Sequence, residues 1–371
     1  EELSDIPEDL SDAVLIGDRG TIRPCIGCFG CWKKTPGKYV VSDGYDSMGE
    51  LIHASDEVIV YSRLTFGGFS GFVKNVFDRC LSYVLPQFEL VDGESHHRKR
   101  YPETRSFSFR FRSEGYIEEE KELAESYVRA VCTNIRGAVK EVTFDGPLLE
   151  EKGSSDAFAE SGDGILILNV SMRAEKSNSA ALSKLLIHKL NKDADTVYLR
   201  DHLKDHEGLI QKMEGYGRIV LAMPLYVDGM PSQVIKLMET VRDSGSLRGK
   251  KIYLLANMGL YEVKQLRNML SQVRLFCGQT GSACCGALAV SAGELVGGLL
   301  EIKGADRLFL RKLTADLKDF ASDIATGSSR SDILTGPNSF PRWLYIAIAN
   351  SGWSRMAAQY GLKKKDLFRQ L

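Results

Sequence analysis

The chain turns on residues 162–190, GDGILILNVSMRAEKSNSAALSKLLIHKL. Ile165 to Leu168 and Val170, broken only by Asn169, make an apolar run without alternation, the pattern of a short strand buried on both faces. From Ala180 onward Leu182, Leu185, Leu186 and Leu190 recur at helical spacing, so the polar segment Ser171 to Ser179 joins the end of a strand to the start of a helix. Such a junction attracts anions. The first backbone N–H groups of a helix have no partner within it, its dipole is positive there, and Ser177, Asn178 and Ser179 add further donors. The same residue types are ordinary helix caps, so the loop alone does not separate capping from binding. It lacks the Gly-rich dinucleotide pattern and the Gly-Lys-Ser/Thr ending of a triphosphate loop. Hydroxyls and amides with one Arg suit a terminal monophosphate, such as that of a flavin mononucleotide.

Downstream, strands and helices alternate. Thr196–Leu199, Arg218–Met223, Lys251–Ala256 and Ala283–Ser291 read as strands. Helices are expected over Ser232–Arg242, Val263–Cys277 and Asp306–Ala325. Five strands with intervening helices make a complete open α/β unit, whose ligands sit beyond the carboxyl ends of the strands. There the loops at Ser171, at Pro224-Leu225-Tyr226-Val227 and at Asn257-Met258-Gly259-Leu260-Tyr261 converge. Tyr226 offers an aromatic face, and the backbone around Gly229 and Gly259 approaches a ligand without a side chain in the way.

Upstream, Ala13–Ile16, Glu57–Tyr61, Ser106–Arg112 and Val139–Phe144 are strand candidates, with helices from Gly71 and over Gly115–Asn134. Gly67-Gly68 and, later, Gly297-Gly298 read as connectors, and His96 to Arg100 as a solvated loop. The expected division is residues 1–148, a linker over 149–162, a complete domain over 163–328 and a helical extension over 329–371. The helix with Lys74 and Asp78 pairs with the later one carrying Lys236 and Glu239, which makes the two halves an internal repeat.

Composition narrows the partners. Of 371 residues, 43% are apolar and 26% charged, and 48 Lys plus Arg balance 49 Asp plus Glu. No net field recruits nucleic acid or anionic lipid, and no apolar run is long enough to span a membrane. Glu1 to Asp5 lack the basic and apolar regions of a secretory signal, so the expected location is cytoplasmic. Cys25, Cys28 and Cys31 are spaced for thiol or metal chemistry, but no fourth Cys follows where Tyr39 stands, so the expectation is no bound metal, with the triplet the weak candidate.

Several of these segments resemble the flavodoxin-like NAD(P)H-dependent FMN reductase family. In the first half the similar segments are Cys25 to Gly37, the strand Val58–Tyr61 and Gly71 to Arg79; in the second they are Ser171 to Ser179 and Pro224-Leu225-Tyr226 with Lys236 and Glu239. The carboxyl tail from Pro341 to Leu362 is similar to an extension of some members. The resemblance implies an α/β fold of two doubly wound parallel sheets, the second complete with order 2-1-3-4-5 and the first truncated, without its phosphate loop. It implies one FMN, held by Ser171, Arg173, Ser177, Asn178 and Ser179 at the phosphate, by Pro224, Leu225, Tyr226 and Val227 along the ring, and by Asn257, Met258, Gly259 and Tyr261 on its other side. NADH or NADPH would be co-substrate and a quinone, flavin or other small molecule the acceptor, with the chemistry on the flavin and no catalytic side chain. The halves would form a fused pseudo-dimer, open to further self-association. The competing reading is a non-enzymatic electron carrier, or a cofactor-less interaction module.

Overall fold

The computed structural model describes Leu10 and residues 13–150, 162–300, 302, 309–337 and 340–371. Most of the expected linker and the start of the Asp306 helix lie outside these residues. The fold is α/β with parallel sheets.

In the second half the apolar runs are strands because each is covered on both faces. β6 (Ile165–Asn169) is buried throughout, and β8 (Arg218–Pro224), β9 (Lys251–Asn257) and β10 (Ala283–Val290) are nearly so. With the short β7 (Asp195–Tyr198) and β11 (Ile333–Thr335) they form a six-stranded sheet, β11-β10-β9-β8-β6-β7, all neighbours parallel. The chain order reverses beside β6, with β7 on one flank and β8 on the other. α5 (Asn178–Lys189), α6 (His206–Glu214), α7 (Ser232–Ser244), α8 (Arg267–Thr280) and α10 (Arg311–Thr326) connect or follow these strands. β11 belongs to the stretch expected as a helical extension, yet it extends the sheet by pairing with β10.

The first half carries a three-stranded parallel sheet, β1-β4-β5, built from β1 (Glu57–Arg63), β4 (Ser106–Arg112) and β5 (Ala138–Asp145). α2 (Met48–Ala54) leads into β1, and α3 (Gly71–Asp78) and α4 (Glu118–Ile135) pack beside the sheet. Two expectations fail here. Ala13–Ile16 is not a strand: no strand pairs with it, and Val14 is 79% exposed. His96-His97 is not a solvated loop but part of a hairpin, β2 (Val84–Val91) with antiparallel β3 (Glu94–Lys99), in which Ser95 and His96 are buried. Arg100 beyond it is buried too, donating to the carbonyls of Ser82, Val84, Leu367 and Arg369.

The halves meet along α3 against α7 and α4 against α8. Thr65–Gly68 and Tyr226–Gly229 are matching two-residue turns, each closed by a reciprocal pair of backbone hydrogen bonds. In each, both inner residues have positive φ: Phe66 and Gly67 in the first, Val227 and Asp228 in the second. Both turns pack on Tyr127 of α4 and Gln272 of α8. Carried into the following helices, this register aligns Asp78 with Glu239 but Lys74 with Ile235, so Lys236 is not the counterpart of Lys74. Lys74 instead lies fully buried, paired with Asp78, and donates to the Tyr226 carbonyl across the seam at 2.7 Å.

Candidate functional site

A cavity of about 570 Å³ opens where the order of the larger sheet reverses, beyond the carboxyl ends of β6, β8 and β9. This is where open parallel sheets hold ligands, and the size is that of a small-molecule site. Every expected cofactor residue except Tyr261 lines it. Tyr261 is turned away because its hydroxyl donates to the Phe340 carbonyl at 2.8 Å and its ring packs on Tyr345. Tyr345, from α11 (Arg342–Ala358), takes the place at the wall and bonds the Gly259 carbonyl.

The polar end is built from the loop after β6. Asn169 turns the chain by accepting from the Ser171 N–H, and Ser177 caps α5 by accepting from the Ala180 N–H at 3.0 Å. The Ser177 hydroxyl donates to the Ala174 carbonyl at 2.6 Å, and Asn257 donates to the Ser179 hydroxyl at 2.7 Å. Capping and wall-lining are thus combined in the same residues. Arg173 pairs with Glu294 at 3.2 Å in a half-exposed contact that water screens. Above the loop lies a helix, α9 (Gly293–Leu300), where a connector was expected. A Cβ on Gly297 would come within 2.6 Å of Asn178 Oδ1, so glycine there admits the close approach.

The opposite wall is mostly apolar and comes from the other half and from the carboxyl-terminal helix. α1 (Gly30–Lys33) seats Trp32, whose indole N–H donates to the carbonyls of Leu81 and Val84. Arg79, buried at the end of α3, holds the irregular segment around it by a two-pronged pair with Asp43, both bonds 2.7 Å, and stacks on Tyr39. Phe29, Trp32, His97 and Trp353 cluster with ring centroids 4.5–5.6 Å apart. Two polar atoms in that wall, His97 Nδ1 and Trp353 Nε1, are buried without a hydrogen-bond partner. Burial pushes the His97 imidazole down to about 4, so it is neutral at physiological pH.

Of the cysteine triplet, Cys25 lines the cavity, and Cys25 and Cys31 are buried. Burial drives the Cys25 thiol up to about 12. Among the described residues no group of three or more His, Cys, Asp or Glu side chains is arranged to hold a metal ion. Tyr226 packs over this segment: a Cβ at Gly27 would overlap its hydroxyl. Asp228 and Asn134 complete the wall under Tyr226, and neither was anticipated from the sequence.

No protein-family model matches the chain, and no curated protein matches it. Solved structures to which part of the chain is similar include the Trp repressor binding protein from Bacillus subtilis, 19% identical over 34% of this chain and 83% of that one, with a TM-score of 0.30. An azoreductase from Bacillus anthracis is 12% identical over 44% of this chain and 99% of its own, with a TM-score of 0.34. An NADPH-quinone reductase from P. pentosaceus is 16% identical over 42% and 95%, with a TM-score of 0.30. Among the described residues no helix is long and apolar enough to cross a membrane.

Proposed function

We propose that the chain is an FMN-binding oxidoreductase that takes hydride from NADH or NADPH and delivers it to a quinone, a flavin or another small acceptor. One observation carries the reading: a single cavity joins an anion-suited loop at the mouth of a 12-residue helix to an aromatic wall large enough for a planar ring. The donor set fits a mononucleotide. The amide groups at the start of α5, with Ser171, Arg173, Ser177, Asn178 and Ser179, would hold the phosphate. Pro224 to Val227 and Asn257 to Gly259 would flank the ring. Bound there, the flavin supplies two-electron transfer, while the protein excludes water and fixes orientation.

In this reading the two halves are a fused pair with one site, and the thiols suit a reducing, cytoplasmic compartment. The test is a flavin titration followed by nicotinamide oxidation. Binding of FMN with turnover of NADH or NADPH is the expected result. Binding without turnover would make the chain an electron carrier. A purified protein that neither carries nor takes up FMN would refute the proposal and leave an interaction module.

A further inference from the structure

Asp228 occupies a costly position. It is an inner residue of the Tyr226–Gly229 turn at φ 60°, where the matching turn of the first half has Gly67. Asp is one of the few side chains that tolerate this backbone, so the turn itself is not what makes the position costly. The carboxyl is 3% exposed and lines the cavity. Both of its oxygens accept from Asn134 Nδ2, at 2.7 and 2.6 Å. That orientation turns Asn134 Oδ1 toward His96 Nδ1 at 2.9 Å, so His96 is the donor there. The network runs from the hairpin through α4 to the turn, crossing from one half to the other.

We propose that Asp228 is the proton donor of the cavity, which rests on the flavin reading above. Hydride transfer to a carbonyl, imine or azo acceptor leaves one heteroatom in need of a proton. The hydride supplies two electrons, originally from the nicotinamide, and the O–H bond of Asp228 breaks as a new bond forms to that heteroatom. The carboxylate left behind regains a proton from water. Alternatives along the wall are weaker. Asp78 is tied to Lys74, and Glu294 is half-exposed and paired with Arg173. Among the described residues the carboxyl of Asp228 is bonded to a neutral amide alone, and burial raises it to about 6 against the lowering effects of Asn134, His96 and Lys74, with Glu94 raising it. Tyr127 and Cys132 of α4 also face it. A carboxyl titrating there is partly protonated near neutrality, as a general acid must be.

Infrared difference titration of the ligand-free protein should show a carboxyl C=O band with a midpoint near 6 that Asp228→Asn removes. A midpoint near 4 overturns the assignment. With FMN bound, Asp228→Asn should leave flavin reduction by nicotinamide unchanged in stopped flow and slow reoxidation by the acceptor roughly 10²-fold, abolishing its pH dependence. Unchanged reoxidation overturns the proposal while the flavin reading stands. Protein that takes up no flavin overturns that reading, and the band titration still decides the state of Asp228. Should Asp228→Asn fail to fold, Asn134→Ala keeps the carboxyl but removes the hydrogen bonds that lower its pKa. Its acceptor pH profile should move upward, and an unmoved profile counts against the proposal.

Discussion

Replacing Lys74 by Met tests whether the seam between the halves is held as the structure indicates. Lys74 and Asp78 are 0% and 1% exposed at their side chains, so neither charge is screened by water. Removing one partner of such a pair leaves the other buried and uncompensated, a loss of about 3–5 kcal/mol. The Tyr226 carbonyl also loses its 2.7 Å donor, worth roughly another 1 kcal/mol. Burial already raises the Asp78 pKa, opposed mainly by Lys74. Without the ammonium that pKa climbs further, so Asp78 of the variant is neutral in acid and is forced toward ionisation in base. The deficit should therefore be small near pH 5 and grow as pH rises, which is the sign for a carboxyl whose folded pKa lies above its unfolded one. Lys74→Met with Asp78→Asn removes the stranded charge, keeps an acceptor for the Ser232 N–H and should recover most of the loss. Urea unfolding followed by tryptophan emission measures all three proteins. A single variant within about 1 kcal/mol of the parent at pH 8, or a double variant no more stable than the single, would refute the reasoning.

Ser177→Ala with Ser179→Ala removes the cap of α5 and the acceptor of Asn257, and FMN titration should show a loss of roughly 10²-fold or more in affinity. Gly27→Ala places a Cβ on the Tyr226 hydroxyl at φ 62°, and should weaken flavin binding and cost about 1–2 kcal/mol in thermal unfolding. At Gly259 a Cβ meets open space, so Gly259→Ala should leave stability unchanged within about 0.5 kcal/mol by the same measurement. Because Asp228 rises from 3.8 to about 6 on folding, the ligand-free protein should lose about 2 kcal/mol between pH 4 and 7 that Asp228→Asn does not lose, as chemical denaturation across that window would show.

How much of this could be read from the chain depends on what each segment packs against. Strands buried on both faces announce themselves as apolar runs, so β6, β8, β9 and β10 were legible, as was the loop that α5 opens. The hairpin was not. β3 reads Glu-Ser-His-His-Arg-Lys, and its two buried residues are satisfied by polar partners, Ser95 by Glu262 and His96 by Asn134, which no hydropathy pattern shows. α9 was hidden by its glycines, which lower helix propensity but are wanted where Asn178 comes close. Asp228 had a signal that misleads. Asp-Gly ordinarily marks the inner pair of a two-residue turn, yet the hydrogen bonds between Tyr226 and Gly229 put Val227 and Asp228 inside instead.

The two matching turns also explain why the cavity lies on one side of the seam. In the first half the inner residue Phe66 is fully buried in the core of the second half, edge-on to Phe276, with the Arg242 guanidinium 5.5 Å above its ring. That side is packed shut. In the second half the corresponding residue is Val227, smaller and half-buried, and the space beyond it is bounded by Trp32, Phe88 and Trp353 rather than filled. The Phe88 backbone is pinned to Asn350 of α11 by hydrogen bonds at 2.6 and 3.0 Å, so the carboxyl helix holds that wall at a distance. Neither half encloses the site alone: the loop that suits an anion comes from one, and the aromatic wall and the partner of Asp228 come from the other and the tail. The loop proposed to hold a phosphate follows β6 and the turn that carries Asp228 follows β8, so on the proposed reading the two functions can be tuned separately.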